Sequence, residues 1–189
     1  MKQIVFLLEE PSAEAMLEGL LPKILSSGLS FRYIVFEGKQ DLAKQLVMRM
    51  RGYRVPGAKF VVLRDQDSGD CKEIKNMLVQ KCKEAKRSDA LIRIACRELE
   101  SWYLADLSAV EKAFSLAGGR LTKYQDKAKF RSPDDHPSPA KTLKSVVPSY
   151  QKVGGSRAIG PFLDVDNSRS RSFAVFVSGL RKLCSNSKK

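Results

Sequence analysis

The sequence predicts an α/β protein: a parallel β-sheet flanked by helices over residues 1–106, followed by a mostly helical, basic extension over 107–189 packed on that core. Three observations predict it. Four short apolar runs, at 2–9, 31–36, 59–64 and 90–96, alternate with stretches of helical period, the pattern of strands joined by helical crossovers. Hydrophobic residues make up 43% of the 189, enough to build a packed core. The net charge of +13 is uneven. Residues 1–106 hold 18 basic and 15 acidic side chains, whereas 107–189 hold 16 and 6.

Gln3-Ile4-Val5-Phe6-Leu7-Leu8 reads as a buried strand that stops at Glu9-Glu10-Pro11-Ser12. Ser12 opens a helix in which Met16/Leu17, Leu20/Leu21 and Ile24/Leu25 recur at helical spacing, so one face is core. Ser26-Ser27-Gly28 ends it. Residues 31–36 are aromatic and β-branched, which suits a strand. Asp41 to Arg51 then carries Leu42, Leu46, Val47 and Met50 on one helical face. Gly38-Lys39 before that helix suits a phosphate held on backbone amides, although the upstream glycine and the hydroxyl residue of a Walker A loop are missing.

Pro56-Gly57 turns the chain into the third strand, which runs into Asp65-Gln66-Asp67-Ser68-Gly69-Asp70. Asp70 to Lys86 is a helix with Ile74, Met77, Leu78 and Cys82 inward. The fourth strand, 90–96, holds Cys96 as a core thiol and leads into a helical stretch from Arg97 to Asp106. Beyond it, 108–117 reads as a helix ended by Gly118-Gly119, and 120–137 as a polar, basic segment. Ser138-Pro139 is a helix start, with serine as the cap and proline in the first turn. Residues 150–157 are glycine-rich and basic, and Phe173 to Leu183 is a final apolar helix before a polar tail.

The chemistry lies where strands end. In extended backbone, residues i and i+2 point to the same side, so Asp65 and Asp67 aim two carboxylates at one point. Right-handed crossovers place all strand ends on one edge, gathering Glu9, Glu10, Asp65, Asp67, Glu98 and Glu100. Two like charges about 4 Å apart repel by roughly 4 kcal/mol at an effective dielectric near 20. Either an acid takes a proton or a cation sits among them, and a hard divalent ion, Mg²⁺ or Mn²⁺, gives the simplest relief. The bland alternative is that these acids cap helices and turns. Lys39, Lys152, Arg157, Arg169 and Arg171 are the candidate phosphate contacts, and the basic excess favours a nucleic-acid partner, DNA or RNA.

Other classes are poorly supported. The four cysteines have no Cys-x-x-Cys spacing and the single histidine, His136, sits in Pro-Asp-Asp-His-Pro, so neither a zinc site nor a nucleophilic triad is indicated. No apolar run approaches the roughly 20 residues that span a bilayer. The expectation is a cytoplasmic protein with no membrane partner.

Leu8-Glu9-Glu10-Pro11-Ser12, Phe36-Glu37-Gly38-Lys39-Gln40-Asp41-Leu42, Asp65-Gln66-Asp67, Glu98-Leu99-Glu100-Ser101-Trp102, Ser138-Pro139-Ala140-Lys141, Tyr150-Gln151-Lys152 and Ser156-Arg157-Ala158-Ile159-Gly160 resemble a bacterial family catalogued as domain of unknown function 4276. That family is similar to the Toprim fold of topoisomerases, primases and the overcoming-lysogenization-defect nucleases. The resemblance implies a Toprim-like sheet, Mg²⁺-dependent phosphodiester chemistry and an ATPase partner in a bacterial defence-type locus. Asp65 and Asp67 match the Toprim Asp-x-Asp. Glu9 or, one residue later, Glu10 matches its first-strand glutamate, with Glu10 standing where the family commonly has glycine.

The first functional expectation is therefore a metal-dependent nuclease in which Glu9, Asp65 and Asp67 hold the ion, while Glu10 or Glu100 completes the shell or acts as base. The alternative is a non-catalytic subunit that binds nucleic acid or a protein partner. A receiver-like phosphoacceptor is a third reading, but it needs a hydroxyl residue after the fourth strand and a lysine after a fifth; the chain has Cys96-Arg97-Glu98 after the fourth and no convincing fifth.

Overall fold

A computed structural model describes residues 2–25 and 28–185. Strands β1 (Lys2–Leu8), β2 (Leu29–Val35), β3 (Lys59–Asp65) and β4 (Leu91–Ala95) pair in parallel in the order β2-β1-β3-β4. Helices α1 (Pro11–Ile24), α2 (Lys39–Gly52) and α3 (Cys71–Glu84) make the crossovers. This is the predicted α/β alternation. Ser26 and Ser27, expected to end the first helix, lie outside the described residues, as does the tail after Ser185.

β1 and β3 occupy the middle of the sheet, so both of their faces must be apolar. Ile4, Phe6, Leu8, Val61 and Leu63 face one layer, while Val5, Leu7, Phe60 and Val62 face the other. The register sets Phe6 beside Val61 and Val5 beside Phe60. α2 and α3 cover the second face through Leu42, Leu46, Met50, Ile74, Leu78 and Cys82. α1 covers the first through Met16, Leu17, Leu20 and Leu21.

The rest of the chain completes that first layer with α4 (Glu100–Leu104), α5 (Leu107–Ala113), α6 (Ala128–Arg131), α7 (Pro139–Val146), α8 (Lys152–Ile159) and α9 (Arg171–Ser185). Trp102 packs against Phe173 and Phe176 of α9, with ring centroids 5.2 and 5.1 Å away. Its indole N–H donates to Ser172 Oγ at 2.8 Å. Glu111 of α5 accepts hydrogen bonds from the backbone of Gly119, Leu121 and Thr122 and from the Thr122 hydroxyl. Burial opposes its charge, but those bonds hold the carboxyl below its ordinary value. They also order a loop that the sequence marks only as polar.

Three details differ from expectation. Ser138 stands at the cap of α7, but its side chain makes no capping bond; Glu98 Oε2 reaches in and accepts from Ala140 N–H at 2.8 Å. Cys96 lies one residue past β4 and is half-buried rather than a core thiol within the strand. The glycine-rich stretch is helix α8, packed on α1. One of its two glycines serves contact: a Cβ on Gly155 would fall 2.3 Å from the Tyr150 ring, whereas one on Gly154 would meet open space.

Just past α8, a Cβ on Gly160 would lie 2.4 Å from the Met16 carbonyl oxygen. Backbone cannot yield as a flexible side chain does. Gly160→Ala is expected to cost about 1–3 kcal/mol, read as a lower urea midpoint with an unchanged slope; wild-type stability would show that α1 and α8 separate freely. Among the described residues, no helix is long and apolar enough to cross a membrane.

Candidate active site

The chain leaves β1 for β2 on one side, and β3 lies on the other. The crevice beyond the carboxyl ends of β1 and β3 is therefore the switch point of the sheet, where ligands of open α/β folds sit. Glu9 directly follows β1 and Asp65 closes β3. They are already joined, because the Asp65 N–H donates to Glu9 Oε2 at 3.2 Å.

Asp65 is half-buried and lines the crevice with Glu9 and Glu10. Burial first, then the charges of Glu100 and Glu9, push its carboxyl well above the usual aspartate value. Glu100 is fully buried at 0% exposure. Its Oε1 accepts from the Tyr150 hydroxyl at 2.8 Å, and its Oε2 has no hydrogen-bond partner among the described residues. Burial raises the Glu100 carboxyl as well, with Lys152 and Tyr150 pulling the other way. Glu9 is raised by burial and then by Asp67, with Arg64 opposing. All three acids are raised first by burial, so the crevice is a place where a carboxylate is poorly solvated.

Two cations enter it. Lys152, from the start of α8, forms an ion pair with Glu10 and also faces Glu100 and Asp65. Burial works against its charge, but the Glu10 bond and Glu100 hold the ammonium above its ordinary value. Arg64 Nε stands 3.6 Å from Glu9 Oε2, too long for a hydrogen bond, and is buried with no hydrogen-bond partner among the described residues.

Asp67 departs from the extended alternation assumed from its i+2 spacing. Its φ is +55°, in the left-handed region that costs a non-glycine residue roughly 1–2 kcal/mol. Arg97, whose carbonyl accepts the Asp67 N–H at 2.7 Å, has φ +62°. Such strain survives where surrounding bonds over-determine it: Gln66 N–H binds Ala95 O at 2.9 Å, and Arg97 N–H binds Gln66 Oε1 at 3.2 Å. The Asp67 carboxylate is held by Lys39 Nζ at 2.7 Å, yet still lies near enough to raise Glu9.

The structure thus gathers Glu9, Glu10, Asp65 and Glu100, sets Asp67 at their flank, and brings in Lys39 and Lys152 as counter-charges. Arg157 instead pairs with Glu18 at 3.5 Å and Arg169 with Asp126 at 2.8 Å. Arg171 lines a separate cavity. His136 is structural: Nδ1 accepts from Ser138 N–H at 3.1 Å, and Nε2 lies 3.2 Å from Thr142 Oγ1. Sequence reasoning missed Tyr150, Arg64 and Arg97 as site residues. Arg64 had a signal, since a lone cation at the end of a buried strand calls for an acid partner. Tyr150 was marked only as part of the Tyr150-Gln151-Lys152 stretch that carries the family resemblance; nothing in that stretch points to Glu100, 50 residues away.

Among the described residues, no three histidine, cysteine, aspartate or glutamate side chains are already disposed as a metal cage. The chemistry of the donors nevertheless fits a hard divalent ion. They are all carboxylate oxygens, two of the acids, Glu9 and Glu100, are buried, and one oxygen, Glu100 Oε2, is unsatisfied among the described residues.

The family of domain of unknown function DUF4276 matches residues 8–181. Among solved structures, the chain is similar to the C-terminal region of the Burkholderia pseudomallei OLD protein. That similarity is at 14% identity with a TM-score of 0.56, covering 96% of this chain and 98% of that one. The likeness is one of fold, and the sheet with its helices is Toprim-like. No curated protein matches the sequence.

Proposed function

The chain belongs to the DUF4276 family, and on that footing we propose that it is a cytoplasmic, divalent-metal-dependent phosphodiesterase acting on DNA or RNA, working with an ATPase partner. One observation carries the reading: Asp65 faces the fully buried Glu100, whose Oε2 is unpartnered among the described residues, at the switch point of a parallel sheet. The Toprim-like fold supports Mg²⁺ or Mn²⁺ as the cation, and the likeness to part of an OLD protein supports the ATPase partner.

Glu9, Asp65 and Asp67, joined by Glu100, would hold the ion. When bound, it polarises the scissile phosphate and makes water a nucleophile near neutral pH. Tyr150 orients Glu100 through its hydroxyl. Lys152 is placed to meet a phosphoryl oxygen and offset charge that develops in the transition state. Glu10, freed when Lys152 turns to phosphate, accepts the proton of the attacking water. Lys39 and Arg97 flank the crevice, and the basic extension with Arg157, Arg169 and Arg171 provides further backbone contacts.

A second reading has its own support. Lys39 and Lys152 already neutralise Asp67 and Glu10, which suits a subunit that binds nucleic acid or its partner without cutting. Incubation with plasmid, single-stranded DNA and RNA in Mg²⁺ or Mn²⁺, alongside Mn²⁺ titration by calorimetry, separates the two. Cleavage that EDTA stops is the expected result. Binding of nucleic acid without cleavage, and no heat of Mn²⁺ binding at millimolar concentration, would establish the non-catalytic subunit.

A further inference from the structure

The sheet edge that carries the acids also carries two thiols. Cys71 is the first residue of α3, and Cys96 directly follows β4. The turn between β3 and α3 is fastened to the end of β4 by the Gln66–Ala95 and Asp67–Arg97 backbone bonds. That fastening brings Cys71 over Cys96, and the two line one cavity of about 190 Å³ with Lys75, Asp134, Arg171 and Ser172. Both cysteines are half-buried, within reach of a small reagent. The other two do not line this cavity: Cys82 is buried on the inner face of α3, and Cys184 lies near the end of α9.

The two thiols are electrostatic neighbours. Burial, then the Asp134 carboxylate and the Cys71 thiol, push the Cys96 thiol up to about 11, which leaves little of it as thiolate near neutral pH. Cys71 occupies the first turn of a 14-residue helix, where negative charge is favoured. The cations of Lys75 and Arg171 open on the same cavity.

We propose that Cys71 and Cys96 are a redox pair that a peroxide converts to an intramolecular disulfide, tying the Asp65–Asp70 turn to the end of β4. The Cys71 sulfur attacks a peroxide oxygen and the O–O bond breaks, leaving a sulfenic acid and one water. The Cys96 sulfur then attacks the Cys71 sulfur, the S–O bond breaks, and a second water leaves. Two electrons pass from the thiols to the peroxide, and both thiol protons end in the waters. The crosslink caps the cavity and fixes the strained Asp67–Arg97 segment beside the acids.

The test is peptide mapping of the full chain after hydrogen peroxide and alkylation, which reads the thiols whether or not the protein cleaves nucleic acid. Free thiols are expected to fall from four to two, with a Cys71–Cys96 peptide reducible by dithiothreitol. Cys96→Ser is expected to leave a Cys71 sulfenic acid that dimedone traps, and Cys71→Ser to leave Cys96 reduced. A link through Cys82 or Cys184, a link between two chains, or Cys71 sulfinic acid with Cys96 still free in the wild type would overturn the proposal. The wild-type map decides the matter even if a serine variant folds poorly.

Discussion

Asp65→Asn is expected to lower metal-dependent cleavage by at least about 100-fold while raising the thermal midpoint of the metal-free protein by a few degrees. The two effects share one cause. Desolvation and the charges of Glu100 and Glu9 oppose the Asp65 charge, so that charge serves a cation at the expense of the metal-free fold. Asp65, Glu9 and Glu100 are all raised in the folded state. Between the ordinary unfolded values, about 3.9 for aspartate and 4.3 for glutamate, and the raised folded ones, the native state holds more protons than the unfolded state. Stability therefore falls as pH rises through that window. In EDTA, the wild-type midpoint should climb as pH falls toward the ordinary carboxylate values, and Asp65→Asn should flatten the climb. Saturating Mn²⁺ should flatten it in the wild type, because bound cation replaces proton. A variant that cleaves at the wild-type rate removes Asp65 from the chemistry. One with a lower midpoint makes Asp65 a structural residue instead.

Local pattern makes the strand–helix alternation readable, because burial on both faces demands the runs at 2–9 and 59–64. The strand order is not local: nothing within Phe60-Val61-Val62-Leu63 states that β1 is its neighbour, yet that pairing creates the switch point. Of the six acids that the convergence of strand ends predicts at one edge, Glu9, Glu10, Asp65 and Glu100 lie together, while Glu98 turns away to accept from Ala140 N–H. The i+2 argument fails at Asp67 because a left-handed φ breaks the extended backbone there. α8 escapes pattern reading because Gly154 and Gly155 have low helix propensity and no side chain to mark a face; close packing on Tyr150 overrides that propensity. Charge counts also hide partners. Arg157 and Lys152 look alike as basic residues in one segment, yet one pairs with Glu18 at the surface and the other reaches the acids.

Lys152→Met tests whether that second placement is catalytic. Cleavage is expected to fall by about 100-fold while Mn²⁺ binds more tightly, because the variant removes a positive charge that competes for the same carboxylates. The folded lysine is held above its unfolded value, so its stabilising contribution is fully present at neutral pH and fades only as pH rises through the folded value. Losing one partner of a fully buried pair costs about 3–5 kcal/mol. Here solvent reaches 44% of the lysine side chain, and screening reduces the cost to about 1–2 kcal/mol. That cost should shrink as pH falls and Asp65 and Glu100, both raised above their ordinary values, take up protons and no longer need a counter-charge. Lys39→Met, which removes a more exposed pair with Asp67, should move stability little. Partial unfolding would weaken metal binding and cleavage together, so opposite movement of the two isolates the role of the ammonium in the reaction. If the variant binds Mn²⁺ more tightly and also cleaves faster, Lys152 is a built-in competitor of the metal, and the assignment of phosphate to it is wrong.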